Sequence, residues 1–262
     1  MRFYVVASGS KGNATIIESN SGHLIQIDMG VTNKYLKEQL KDTHINTENI
    51  EALLITHEHC DHIKCASSFP NEKVYSALGT YDVPDTNILE LYKKYNIAGF
   101  DITILATSHD AKNPIGFVIE ADNQKLIYMT DTGYISERNL KYMQNPDYIC
   151  IESNHNVKKL FETSRPAYLI MRILGDEGHL SNEDSAMYMS EIIGENTKEI
   201  VLMHLSEEAN TPELALSTYN EILTKKLGDI SKIHIIAAKQ REMVTGGEKV
   251  SLWRLKSLQL VK

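Results

Sequence analysis

Cysteine is scarce in this chain, with 3 in 262 residues, at Cys60, Cys65 and Cys150. So small and odd a number over this length gives no disulfide framework. No uninterrupted apolar run reaches the ~20 residues that a membrane-spanning helix needs, so a membrane protein of that kind is excluded. Positive charge is also short: 27 Lys and Arg face 35 Asp and Glu, a formal net charge of -8. A general coat protein for nucleic acid is usually basic, which argues against tight, sequence-independent binding. A nucleic-acid substrate stays compatible, because a local basic rim or bound cations reverse the field at a cleft. The opening Met1-Arg2-Phe3-Tyr4-Val5-Val6 is short and runs into Gly and Ser. No secretory leader is expected from it, and a cytoplasmic location follows as an expectation.

The chain is otherwise of ordinary globular composition, 42% hydrophobic and 24% charged, enough to fill a sizeable core. No low-complexity linker and no short-period repeat interrupts it, so one domain over 1–262 is expected. Residues 3–6 read as a strand, and Ser8-Gly9-Ser10-Lys11-Gly12-Asn13 as a loop of turn formers. Residues 14–18 and 23–28 suit a hairpin around Asn20-Ser21-Gly22, and 33–40 a short amphipathic helix. Ala52-Leu53-Leu54-Ile55, within 51–56, has a buried-strand pattern that stops at His57.

The same theme recurs further on. Residues 102–107 end at Ser108-His109-Asp110, a hairpin of 115–121 and 125–130 ends at Asp131-Thr132-Gly133, 148–151 ends at Glu152-Ser153-Asn154-His155, and 199–203 ends at His204. Strand after strand delivers a histidine or a carboxylate at its exit, where a sheet fixes the base of a loop and leaves its tip open. Helices are expected over 182–193 and over 212–227, the latter capped by Thr211 with Pro212 at its first position.

The chemistry concentrates in His57-Glu58-His59-Cys60-Asp61-His62. Imidazole nitrogens and carboxylate oxygens are what a transition metal takes. In extended backbone, residues two apart point the same way, so His57 and His59 can grip one ion. Asp61 and His62 follow as the loop turns and can face a second. Two ions need more ligands, and His109, Asp131 and His204 are the remaining candidates because each follows a strand. Asp131 can bridge both ions. Ions roughly 3.5–4 Å apart can share a water or hydroxide and clamp a developing oxyanion.

This arrangement resembles the metallo-β-lactamase superfamily, whose HxHxDH signature is matched by His57, His59, Asp61 and His62. Asp28 matches its early strand-end aspartate, and His109, Asp131 and His204 its later ligand positions. The opening 8–13 loop, the segment Thr107-Ser108-His109-Asp110-Ala111, and Gly178-His179-Leu180-Ser181-Asn182 are similar to one bacterial branch. Its members are small proteins often encoded beside a cell-wall two-component regulator, associated with 5′-to-3′ exonuclease activity on duplex DNA. Residues 178–206 also resemble the transfer-RNA 3′-processing endonucleases, although Leu180 here intervenes between the histidine and the hydroxyl residue.

The resemblance implies an α/β (α+β) fold, an αββα four-layer sandwich of two mixed β-sheets flanked by helices. It implies two divalent metal ions, zinc or manganese with iron also compatible, and a phosphodiesterase or nuclease acting on nucleic acid. Asp61 and His179 become the candidate catalytic residues, His179 by stabilising or protonating the leaving oxygen. Asp28 is expected to hold a ligand histidine from behind. A hydrolase of a small ester, thioester or lactone uses the same ions, and a non-catalytic regulatory protein on the same fold would be expected to have lost ligands. Cys60 points away from His59 by alternation, and His23, His44 and His234 lack ligand company, so all four read as surface or packing residues. His155 is open between cleft and core. Arg165, Arg172 and Lys159 could meet substrate phosphates, but each reads more readily as a solvated charge. Residues 249–262 suit an edge strand or an oligomer contact, which leaves a homo-oligomer open.

Overall fold

Every residue of the strand Arg2–Ala7 but the first is buried, on both of its faces. Phe3 and Val5 join one core cluster, while Tyr4 and Val6 join another. A sheet covered on both faces loses polar alternation and reads as continuous apolar runs, which is how this chain's strands read. The computed structural model describes residues 1–248. The expectation for 249–262 lies outside the described residues.

The first sheet holds β1 (Arg2–Ala7), β2 (Ala14–Glu18), β3 (Leu24–Ile27), β4 (Ala52–Leu54), β5 (Val74–Ala77) and β6 (Ile88–Leu89). The second holds β7 (Lys94–Ile97), β8 (Phe100–Ala106), β9 (Ile115–Ala121), β10 (Gln124–Met129), β11 (Tyr148–Glu152), β12 (Glu199–Met203) and β13 (His234–Ala237). A last strand, β14 (Val244–Gly247), returns to pair with β1. The orders are β14-β1-β2-β3-β4-β5-β6 and β13-β12-β11-β10-β9-β8-β7. Both sheets are mixed, as expected. From β14 to β3, and from β7 to β10, neighbours are antiparallel. From β3 to β6, and from β10 to β13, they are parallel.

The helices are α1 (Asn33–Leu40), α2 (Cys60–Ile63), α3 (Glu137–Met143), α4 (Val157–Phe161), α5 (Ala167–Leu174), α6 (Asn182–Ile192) and α7 (Pro212–Leu227). Between the sheets, Phe3, Ile17 and Ile27 meet Phe100, Phe117 and Tyr128. Outside the second sheet, Ile149 and Leu202 meet Met189 of α6 and Tyr219 of α7. Outside the first, Ile16 and Leu53 meet Leu36 and Leu40 of α1. The result is the αββα layering that the resemblance implied.

The two halves repeat a detail that residue counting did not reveal. β3 runs into Asp28-Met29-Gly30 and β10 into Asp131-Thr132-Gly133, with both aspartates left-handed at φ 57° and 54°. Both glycines admit backbone where a side chain would stand. A Cβ on Gly30 would lie 1.6 Å from the Asp61 carbonyl oxygen, and one on Gly133 2.2 Å from that of Asp176.

Candidate metal centre

The sheet exits bring the expected residues to one place. β4 releases the chain at Ile55, and 56–59 form no regular element, with His59 extended, before α2 turns through Cys60–Ile63. Two groupings divide the segment into pairs, and a third joins His57 to His62 at Asp131. His57 and His59 join His109, from beyond β8, in one group of three potential donors whose ligand atoms all lie within 4.8 Å of one another. Asp61 and His62 join His204, beyond β12, in a second such group.

Asp131 stands between them. Its Oδ2 lies 3.3 Å from His62 Nε2, and its Oδ1 lies 3.4 Å from His204 Nε2 and 3.8 Å from His109 Nε2. The left-handed turn at Asp131 is matched at His204, φ 54°, whose amide donates to Ser8 Oγ at 2.8 Å. Sparsely populated backbone of this kind persists only where its surroundings enforce it, and it gathers at functional sites.

Asp28 is fully buried. Its Oδ2 accepts from His62 Nδ1 at 2.7 Å, and Thr56 secures both of its oxygens through the amide and the hydroxyl at 2.9 Å. That bond leaves His62 Nε2 directed at the cluster. Burial pushes the His62 imidazole down, but the Asp28 and Asp131 carboxylates outweigh it and lift it to about 10. Burial drives His57 strongly the other way, with the charge on His62 adding to it.

Glu152, at the end of β11, is the main residue that sequence reasoning left out of the site. It is fully buried, and its Oε1 accepts from His179 Nδ1 at 2.8 Å and from His204 Nδ1 at 3.1 Å. Its Oε2 accepts from the amides of Thr132 at 3.0 Å and Leu180 at 3.2 Å. Burial alone would raise this carboxyl, but the His179 charge and hydrogen bond, with His204, hold it at about 2. The signal was present, since Glu152 ends a strand as His109 and His204 follow one. Asn13 was also missed: its amide donates to the Asp61 carbonyl at 2.8 Å, and its Nδ2 lies 3.3 Å from Asp61 Oδ2. The 8–13 loop is therefore part of the site's frame.

The remaining residues fall on either side of the boundary. His179 forms a further group of potential donors with Asp131, Glu152 and His204, its Nδ1 3.7 Å from Asp131 Oδ1. His155 is buried with neither ring nitrogen hydrogen-bonded, belongs to none of the candidate ligand groups, and is pushed down to about 4 by burial. Cys60 is exposed. His23 pairs with Glu51 and His44 with Glu18, away from the centre. Glu58 is used structurally, accepting from the Lys112 amide at 2.9 Å beside the His109 loop. Asp110 lies 3.4 Å from His109 Nε2 and also binds Arg172.

These residues fit divalent metal ions. Asp28, Asp61, Asp131 and Glu152 converge here, and among the described residues their ion pairs are all with histidines. Buried carboxylates demand cations. His57 Nε2 and His204 Nε2 are buried without a hydrogen-bond partner, as donors reserved for something else would be. Imidazole nitrogen with carboxylate oxygen is a donor set for zinc, manganese or iron.

The sequence profile of the beta-lactamase superfamily domain matches residues 25–205. The chain belongs to the metallo-β-lactamase superfamily. Among its relatives is "Exodeoxyribonuclease WalJ" of Streptococcus pneumoniae, 36% identical over 243 residues, which cover 87% of this chain and 90% of the relative. "Exodeoxyribonuclease YycJ" of Bacillus anthracis is 32% identical over 250 residues, 89% of this chain and 94% of the relative. The metallo-β-lactamase fold protein YhfI of Bacillus subtilis superposes with a TM-score of 0.65 at 15% identity, covering 94% of this chain and all of that one. Human tRNase Z, short form, gives 0.61 at 13%, covering 93% and 98%. At those identities the two structures speak to the fold alone. Among the described residues, no helix is long and apolar enough to cross a membrane.

Proposed function

We propose that this chain is a metal-dependent exodeoxyribonuclease, one domain over 1–262, that hydrolyses phosphodiester bonds at the centre described above. Near full-length likeness to two relatives named exodeoxyribonuclease carries the reading, and the site supplies chemistry to match. His57, His59, His109, Asp61, His62 and His204, with Asp131 between the groups, are the proposed ligands of two divalent ions, zinc or manganese. Such ions supply Lewis acidity and lower the pKa of water towards neutrality.

The chain's own residues do the rest. Asp28 keeps His62 in one tautomer and one orientation by accepting from Nδ1. Asp61 would also orient the attacking water, since its carboxylate stands near both His62 and His204. Glu152 accepts from His179 Nδ1, and His179 Nε2 makes no protein hydrogen bond among the described residues. His179 Nε2 is the proposed proton donor to the leaving oxygen.

His179 and His204 share the wall of a cavity of about 550 Å³ with Ser10, Asn154, Arg165 and Arg172. Leu169, Ile173 and Leu205 line it too, so it is an open cleft of mixed character that carries two arginines, and those suit a phosphate substrate. Arg165 and Arg172, weighed from sequence as phosphate contacts or solvated charges, line this wall and pair with Glu208 and Asp110.

The test is purified protein with Mn²⁺ or Zn²⁺, offered end-labelled DNA, RNA, a small phosphodiester, a thioester and a lactone. DNA should be degraded from an end, with the labels giving the polarity, and Asp61→Ala should stop it. Turnover of the thioester or lactone with DNA left intact would overturn the reading.

A further inference from the structure

A small cavity of about 190 Å³ opens beside the centre, on the far side of the contact between Gly30 and Asp61. Lys11, Lys64, Arg241, Tyr35, Gly12 and Gly30 contribute to its lining, and no carboxylate does. In a chain of net charge -8, three cations gather on a lining that holds no acid, and one of them is paired with an acid outside it. Lys11 pairs at 2.5 Å with the half-exposed Glu207. Lys64 and Arg241 make no ion pair among the described residues.

Two further observations point to a missing acceptor. The Tyr35 hydroxyl is buried without a hydrogen-bond partner. Thr32, also at the cavity, caps the N-terminus of α1, where unpaired amides and the helix dipole favour an anion. Two of the segments that carry these cations are joined through the backbone of the Lys11 loop. Gln240 accepts from the Lys11 amide at 3.2 Å and donates to the Gly12 carbonyl at 3.4 Å, tying the segment that carries Arg241 to the loop that carries Lys11.

We propose that this cavity is a phosphate subsite, which grips a backbone phosphate of the substrate strand away from the scissile one. Its volume lies below the range of small-molecule pockets, which starts at roughly 300 Å³, so it takes a phosphate group and leaves sugar and base outside. Its floor is one backbone thick: the Gly30 backbone packs on the Asp61 carbonyl, to which Asn13 also donates at 2.8 Å. A strand held here is therefore registered directly against Asp61. The proposal rests on the nuclease reading and adds a contact that acts on binding rather than on the chemical step.

The experiment compares full-length wild type with K64E/R241E, and with K64Q/R241Q as the milder pair. On a DNA oligonucleotide, KM should rise at least tenfold with kcat within twofold, while hydrolysis of bis(p-nitrophenyl) phosphate stays unchanged. In an Asp61→Ala background, the slope of log affinity against log salt should fall by about one, the signature of a lost phosphate contact. Tyr35→Phe should raise KM a few-fold. Wild type that cleaves neither DNA nor the small diester would defeat the nuclease reading, and the subsite with it. Wild type that cleaves DNA, beside variants of unchanged KM and salt slope, would overturn the subsite alone. Inorganic phosphate bound by wild type, with the DNA KM of the variants unmoved, would mean a free anion rather than a strand and would also overturn it.

Discussion

The first sheet sends four side chains to the centre from one exit, His57, His59, Asp61 and His62 after β4, with Asp28 behind them after β3, whereas the second sends its own one at a time. His109 follows β8, Asp131 follows β10, Glu152 ends β11 and His204 follows β12. In the first half, local geometry does the work: a short irregular stretch and one turn of helix bring four neighbouring residues into the candidate groups. In the second, topology does it, because β10, β11 and β12 are adjacent and parallel and so open at the same edge. The backing carboxylates differ in the same sense. Asp28 secures one imidazole, His62, while Glu152 secures two, His179 and His204, and the amides of Thr132 and Leu180 as well.

Asp131 joins the two halves, so its loss should do the most damage. Asp131→Ala is expected to lower kcat/KM for DNA by on the order of 10³-fold or more, the several kcal/mol of transition-state stabilisation that a metal site supplies. Steady-state kinetics on an oligonucleotide would show this, and a loss under tenfold would mean the halves work independently. The backing carboxylates come next. Asp28→Asn and Glu152→Gln should each cost about 10–100-fold, with Glu152→Gln the worse of the two because it frees two histidines. Equal losses would remove the asymmetry between the halves.

The paired glycines sharpen the comparison at the level of stability. Gly30→Ala and Gly133→Ala should each destabilise by about 1–3 kcal/mol, the usual cost of forcing extra volume into packed surroundings. Only Gly30→Ala should also reduce activity strongly, since it displaces Asp61 whereas Gly133→Ala displaces Asp176. Chemical denaturation alongside kinetics would separate the two effects.

The smallest expected effect lies on the first sheet, away from the centre. Burial would raise the Glu18 carboxyl, but the His44 hydrogen bond at 2.7 Å, with Arg2 and Tyr4, holds it below its usual value. Its unfolded pKa is about 4.3, so below that pH the unfolded chain takes up the proton first. The stability that Glu18 contributes is therefore fully present above about pH 4.3 and is lost as pH falls through the lower, folded value. Unfolding midpoints measured from pH 7 to pH 3 should show this part of the loss in wild type and not in Glu18→Gln.

The same contrast explains what could be read from the sequence. The segment from His57 to His62 was legible because its spacing is its geometry. His109, Asp131 and His204 were legible as ends of apolar runs, because each strand is buried on both faces and stops where the chain reaches the site. The 122–123 hairpin turn has φ values of 56° and 58° in its two central residues, which Asp and Asn tolerate, so that pairing could be foreseen. Glu152 was passed over because nothing local tells a carboxylate that backs two histidines from one that faces solvent; only the return of His179 and His204 to its side does so. Short elements such as β5 to β7 and α3 to α5 were not foreseen, since a few residues carry too little periodicity. β14 pairs with a strand more than two hundred positions earlier, and no local pattern carries that information.

The most direct test is a count of bound metal per chain by elemental analysis of purified protein, wild type beside His109→Ala. Two ions in the wild type and one in the variant are expected, because His109 belongs only to the group with His57 and His59, and His204 still completes the other with Asp61 and His62. One ion in the wild type, or two in both proteins, would contradict a centre shared between the two halves.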